Sequence, residues 1–166
     1  MNSNMSTVLG SSRVQWLIAW PLGFRWALSR NDSLGDAKAP STSARILIVE
    51  DDYLVASETE SALIRAGLDV AGIASSGDEA LKLAAAERPS LVVMDIRLNG
   101  NRDGIDVALD LFATHGIRCI FATAHQTVDA RKRAEPANPI AWLPKPYTMP
   151  ALVAVVRSAV AQLHPG

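Results

Sequence analysis

Carboxylates close two of the most apolar runs in this chain. Leu91-Val92-Val93-Met94 stops at Asp95, and Arg45-Ile46-Leu47-Ile48-Val49 stops at Glu50-Asp51-Asp52. Such runs read as strands buried on both faces, as in a parallel sheet. Ligands of open α/β sheets bind outside the carboxyl ends of the strands, so up to four carboxylates reach one rim. Crowded carboxylates repel unless a cation neutralises them. Mg2+ answers that need, because it takes few carboxylates and keeps positions open for water and phosphate. Two further run ends add other chemistry. Phe121-Ala122-Thr123-Ala124 offers a hydroxyl followed by a small residue, and Leu143-Pro144-Lys145-Pro146 an ammonium between prolines. Singly, Asp95 could be a turn former, Thr123 a strand-end hydroxyl, Lys145 a surface lysine and Glu50–Asp52 a solvated helix start. Their meeting at one rim is the signal.

Placing these residues together requires alternating strands and helices, and the pattern from Arg45 onward supplies them. Strand one is predicted over Arg45–Val49. Helix one follows over Tyr53–Ala66, with Val55, Thr59, Ala62 and Ala66 on one face and Gly67 as its stop. Strand two covers Asp69–Ala74, and Ser76-Gly77-Asp78-Glu79 reads as a capping box opening helix two, which Pro89 closes. Strand three is Leu91–Met94. Helix three begins near Asp103, carries Ile105, Ala108, Leu109 and Phe112 on one side, and ends at Gly116. Strand four is Arg118–Ala122 and strand five Ile140–Leu143. Between them helix four, Val128–Ala134, is short and basic and is limited by Pro136 and Pro139. Helix five, Met149–Ala161, packs through Leu152, Val155, Val156 and Ala159. Five β/α units with short connections imply an α/β fold with a doubly wound parallel sheet.

Residues 1–43 read as a separate extension and linker ahead of a domain over residues 44–164. Trp16 to Phe24 is apolar but is interrupted by Pro21 and Gly23, well short of the roughly 20 residues a spanning helix needs. No small-residue cleavage site follows it. Trp16, Trp20, Phe24 and Trp26, flanked by Arg13, Arg25 and Arg30, would suit a weak amphipathic surface anchor, and a disordered extension is the plainer reading. Asn31–Ser43 is a polar linker. The net charge of −1 divides into +2 for residues 1–44 (four Lys/Arg, two Asp/Glu) and −3 for residues 45–166 (twelve against fifteen). The acidic balance of the domain argues against a non-specific nucleic-acid surface. A lone Cys119 inside an apolar run excludes an internal disulfide framework. It reads as a small buried hydrophobe, in keeping with a reducing, cytoplasmic setting.

The ordered set ILIVEDD, LVVMD 44 residues after Asp51, ATA and KP resembles the receiver domain of two-component response regulators, across Arg45–Leu163. The resemblance implies a CheY-like, flavodoxin-type (βα)5 fold with strand order 2-1-3-4-5. It implies that Asp95 is the phosphoacceptor, since a carboxylate can attack phosphorus and form an acyl phosphate. It further implies Mg2+ held directly by Asp51 and Asp95, through water by Glu50, and by the backbone carbonyl of Arg97. Lys145 would pair with Asp95 at rest and with the phosphoryl oxygens afterwards, and Thr123 would donate its hydroxyl to one of them. Ala124 keeps the approach open. Asp52 falls at the start of helix one, where the helix dipole favours it, and outside the ligand set. The Lys145–Pro146 bond is a candidate cis peptide, and His125 is divided between the site entrance and open surface.

Three departures from the family pattern stand out. The loop after the phosphoacceptor, Leu98-Asn99-Gly100-Asn101-Arg102-Asp103-Gly104, lacks the usual proline and is one residue longer. Trp142 stands three residues before Lys145, where the family often has a switching Tyr or Phe, and strand alternation sets it on the face opposite Leu143 and Lys145. Helix four is curtailed. The chain ends three residues after Leu163, so the expectation is a stand-alone receiver, not a turnover enzyme. It would take its phosphoryl group from a histidine kinase or histidine phosphotransfer protein, signal to a downstream protein through its surface, and exist as a monomer or weak homodimer. A haloacid-dehalogenase-type phosphohydrolase would need a second Asp where Arg97 stands. A flavin-binding flavodoxin module would need a Ser/Thr/Gly-rich phosphate loop after strand one. A receiver-like scaffold that works without phosphorylation would have no use for the complete acidic set.

Overall fold

The third strand, Leu91–Met94 (β3), is buried at every position, and the fold explains how. The computed structural model describes residues 44–124 and 126–163. In chain order, β1 is Arg45–Val49, α1 Tyr53–Arg65, β2 Asp69–Ala74 and α2 Gly77–Glu87. After β3 come α3 Gly104–His115, β4 Arg118–Thr123, α4 Val128–Ala134, β5 Ala141–Pro144 and α5 Met149–Leu163. The strands form one parallel sheet in the order β2-β1-β3-β4-β5, and the helices cover both faces. Alternate residues of each strand therefore enter two separate cores. Leu47, Val49, Val92, Met94, Cys119 and Phe121 pack with Ala80, Ile105, Ala108 and Leu111 of α2 and α3. Ile46, Ile48, Leu91, Val93, Ile120 and Leu143 pack with Leu63 of α1 and Leu152, Val156 and Ala159 of α5. A parallel strand covered twice has no polar face to show, and its sequence is a continuous apolar run.

The chain departs in opposite directions from the central pair, from β1 to β2 on one side and from β3 to β4 on the other. This reversal is the switch point at which α/β sheets bind ligands. Val49 and Met94 are register partners there, so the next residues, Glu50 and Asp95, emerge side by side.

Helix ends agree with local chemistry. Asp52 caps α1, its Oδ1 accepting from the N–H groups of Leu54 at 2.9 Å and Val55 at 3.2 Å. We expect Asp52→Ala to cost about 1 kcal/mol, read as a lower urea midpoint with an unchanged slope. No loss would show the cap is replaced by water. The capping box of α2 is displaced by one residue on its return limb. Ser76 Oγ accepts from Glu79 N–H, but the Glu79 carboxylate reaches back to the N–H and hydroxyl of Ser75, at 2.7 and 2.9 Å. Those bonds hold the Glu79 carboxyl below its usual range.

Several expected boundaries and faces shift. On α1 the deeply buried side chains are Ala56, Thr59, Ala62 and Leu63; Val55 and Ala66 are only partly covered. On α3, Val107 and Leu111 are fully buried while Leu109 and Phe112 lie at the margin. In both cases alanines and short side chains made two neighbouring helical faces equally apolar in sequence. β4 extends to Thr123 because β5 runs one residue later than expected, pairing Thr123 with Pro144. A single 3-10 turn, Glu135–Ala137, follows α4 and ends at Asn138 in the left-handed region at φ 48°. α5 continues to Leu163. Cys119 is buried and its thiol is pushed up to about 12 by loss of solvent. The Lys145–Pro146 peptide is cis. Among the described residues no helix is long and apolar enough to cross a membrane. The Trp-rich segment, the linker up to Ser43 and His125 lie outside the described residues.

Candidate functional site

The ends of β1, β3 and β5 deliver charged groups to one rim of the sheet. Asp95 N–H donates to Val49 O at 2.9 Å and Glu50 N–H to Ala74 O at 3.0 Å, which extends the ladder one step past the strand ends and fixes both carboxylates. Lys145 is placed the same way: its backbone N–H donates to Thr123 O at 3.0 Å. Its Nζ then lies 2.6 Å from Asp95 Oδ2 and 2.6 Å from Glu50 Oε2. The other oxygen of Asp95 accepts from Arg97 N–H at 3.2 Å, and the other oxygen of Glu50 faces Asp52 N–H at 3.5 Å. Both carboxylates are nearly buried.

Glu50, Asp51 and Asp95 bring one oxygen each within 4.8 Å of one another. Three carboxylates face the single ammonium of Lys145, so the cluster carries a formal surplus of two negative charges. Burial pushes the Glu50 carboxyl up, against the bond from Lys145. Burial pulls the Lys145 ammonium down, but its bonds to Asp95 and Glu50 outweigh that and leave it above its usual range. The ammonium is thus firmly protonated and still insufficient. A divalent cation would close the balance, and the donor set is all oxygen, as Mg2+ prefers.

Thr123 closes β4 with its side chain almost wholly buried. Trp142 lies on the opposite face of β5 from Leu143, half-buried, with its ring 4.6 Å from that of Phe121 and the Arg131 guanidinium 4.8 Å above it. Asp52 is occupied as the helix cap and is absent from the carboxylate cluster. Arg97 follows the rim on an exposed loop.

Two residues at the site had not been singled out from sequence. Gly104, the first residue of α3, lies flat against the Asp95 backbone: a Cβ there would stand 1.9 Å from the Asp95 carbonyl oxygen. The one sequence signal was its place directly after the cap of helix three. Tyr147, just past the cis peptide, is half-buried, and burial raises its phenol. With Val55, Glu58, Ala124, Lys145 and Met149 it lines a cleft of about 440 Å3 beside the carboxylates. The place of Tyr147 in that cleft has no local sequence trace.

The family model of the response regulator receiver domain matches residues 46–157. The transcriptional regulatory protein PdtaR of Mycobacterium tuberculosis is 33% identical over 129 residues, spanning 78% of this chain and 61% of that protein. The phyllosphere-induced regulator PhyR of Methylorubrum extorquens is 34% identical over 131 residues, spanning 78% of this chain and 48% of that protein. The chain thus corresponds to between about half and three-fifths of the length of these curated relatives. Among solved structures, the signal receiver domain of a modulated diguanylate cyclase from Desulfovibrio desulfuricans G20 superposes with a TM-score of 0.67. It is 34% identical and covers 73% of this chain and 96% of that one.

Proposed function

We propose, from the premise that this chain belongs to the response regulator receiver family of two-component systems, that Asp95 accepts a phosphoryl group from a phosphohistidine. The observation that carries this is the geometry of Asp95. Its carboxylate is fixed by Lys145 and Arg97 N–H at the switch point of the sheet, beside two more carboxylates that no side-chain cation besides Lys145 offsets among the described residues.

One Asp95 oxygen attacks phosphorus as the phosphorus–nitrogen bond to the donor imidazole breaks, giving an aspartyl phosphate and a free histidine on the partner. Lys145 loses one carboxylate partner in that step and keeps its charge for the new phosphoryl oxygens. Thr123, buried at the adjacent strand end, supplies a hydroxyl donor. Asp51 and Asp95 would hold Mg2+ directly, Glu50 through water, and the Arg97 carbonyl would complete the protein ligands. Bound there, the ion spreads the charge of the group being transferred. The partners are then a histidine kinase or histidine phosphotransfer protein on the donor side and a downstream protein on the other, in the cytoplasm. Trp142, stacked on Phe121 and under Arg131, is the side chain through which strand-end movement would reach the surface. The domain is a phosphoacceptor that assists its own chemistry and turns over no external substrate. Its boundaries are residues 44–164, with residues 1–43 an extension.

Incubation with acetyl phosphate and Mg2+, followed by intact mass, tests the reading: the wild type gains one phosphoryl group. Asp51→Ala removes a direct ligand from a cluster with none to spare. We expect Mg2+ affinity to fall at least about tenfold, the upper end of what loss of a mere supporting contact costs being about 100-fold, and labelling to fall with it. A Mg2+ titration unchanged from wild type would show that the ion is held elsewhere.

A further inference from the structure

Arg133 sits in the last turn of α4, and one of its guanidinium nitrogens reaches two carboxylates of another helix. It pairs with Asp103 Oδ2 at 2.9 Å and donates to Asp106 Oδ1 at 3.1 Å. Asp103 is the cap of α3: its Oδ1 accepts from the N–H groups of Ile105 and Asp106, both at 3.0 Å. A single carboxylate therefore holds the first turn of α3 with one oxygen and α4 with the other.

The residue after the cap touches the phosphoacceptor. Gly104 N–H donates to Ile96 O at 2.8 Å, and its Cα lies so near the Asp95 carbonyl that a Cβ would overlap it. A continuous line of contacts thus runs from α4 through Arg133, Asp103 and Gly104 to the backbone of Asp95 and Ile96. It uses none of the side chains that handle the phosphoryl group. Two residues earlier on α4, Arg131 lies over Trp142. One short helix therefore contacts both the cap of α3 and the aromatic residue of β5.

We propose that Arg133 is a positioning residue. By fastening α4 to the capped end of α3, it holds the Asp95–Arg97 backbone in the geometry that receives Mg2+ and the phosphoryl group, and it makes α4 respond to what Asp95 carries. The proposal rests on Asp95 being the phosphoacceptor. Exposed ion pairs contribute little when two mobile side chains must be ordered to make them. Here Asp103 is already ordered by its capping bonds, and a second carboxylate shares the same nitrogen. The Leu98–Gly104 loop has no proline to stiffen it. Its far end is tied instead by Arg102 to Asp110 and by Arg133 to Asp103.

The test uses the full chain, with beryllofluoride and Mg2+ as the phosphoryl mimic. Binding is followed by fluorine NMR and the response of α4 by hydrogen exchange over residues 128–137. Coupling between sites is reciprocal. Arg133→Gln should weaken mimic binding about fivefold, the low end for coupled sites, and should abolish the slowing of α4 exchange that saturation produces in the wild type. Arg133→Lys, which keeps the charge, should retain most of both. An Arg133→Gln protein that binds like the wild type, or whose α4 still responds at saturation, overturns the proposal. Equal impairment of the Gln and Lys variants also overturns it, since lost packing would then be the cause. If the wild type fails to bind the mimic, the phosphoacceptor reading fails and takes this one with it.

Discussion

Asp95→Asn is expected to gain no phosphoryl mass under conditions that label the wild type fully. The amide has no anionic oxygen to attack phosphorus, and no other carboxylate among the described residues is placed to replace it. Glu50 is turned onto Lys145 and Asp52 N–H, and Asp51 offers its oxygen to the same cluster from a more open position. The fold should survive the change. The introduced amide can keep the bond from Arg97 N–H through its oxygen, and Lys145 keeps Glu50 as a partner at 2.6 Å. Breaking a buried pair by removing one member costs about 3–5 kcal/mol when the other is stranded. Because Lys145 is not stranded, the loss here should be well below that range. Thermal melting and intact mass on the same sample separate the two effects. Labelling of the variant at the wild-type level would falsify the assignment of Asp95.

Much of this site was legible in the sequence because it lies at the ends of strands. A strand buried on both faces spells a run of apolar letters, so its polar terminus is visible without knowledge of any neighbour. Glu50, Asp95, Thr123 and Lys145 were found that way. Strand direction and order then bring them together. What stayed hidden depends on contacts between distant segments. Nothing near Lys145 announces that Glu50, ninety-five residues away in sequence, shares it equally with Asp95. Nor does the basic run Arg131-Lys132-Arg133 say that its first member covers Trp142 and its last clamps α3. On α1 and α3 half of each expected face is buried (Thr59, Ala62, Ile105, Ala108), while Val55, Ala66, Leu109 and Phe112 fall at the margin because alanines fit either a core or a margin. The turn at Glu135–Ala137 was missed because proline there limits a helix without saying which turn replaces it.

Gly104→Ala should be among the most damaging single-methyl changes available in this domain, for a reason unlike that of most glycines. Gly67 shows the contrast. It stands at φ 76° after α1, with open space where a side chain would go, so Gly67→Ala should cost only the strain of a left-handed residue, about 1 kcal/mol. Gly104 has an ordinary backbone conformation and no room. Its added methyl would stand 1.9 Å from the Asp95 carbonyl oxygen and 3.0 Å from Ile96 Cα. The obstacle is backbone, held on one side by the Asp95 N–H bond to Val49 and on the other by Gly104 N–H to Ile96 O. No rotamer change relieves it. Either α3 moves away from the sheet, exposing Ile105 and Val107, both now buried, or the Asp95–Arg97 loop is pushed out of the rim. Overpacking a core costs about 1–3 kcal/mol where side chains can yield, and we expect roughly 4 kcal/mol or more where they cannot. At about 4 °C per kcal/mol for a domain of this size, the melting point should fall by about 15 °C. Whatever folded protein remains at low temperature should bind Mg2+ and beryllofluoride poorly, because Asp95 and the Arg97 carbonyl move with the displaced backbone. A Gly104→Ala protein that melts no lower than Gly67→Ala and still takes up the mimic would mean that α3 slides freely on the Asp95–Arg97 loop. The rigid seating of Asp95, and the tether from α4 that depends on it, would then both have to be given up.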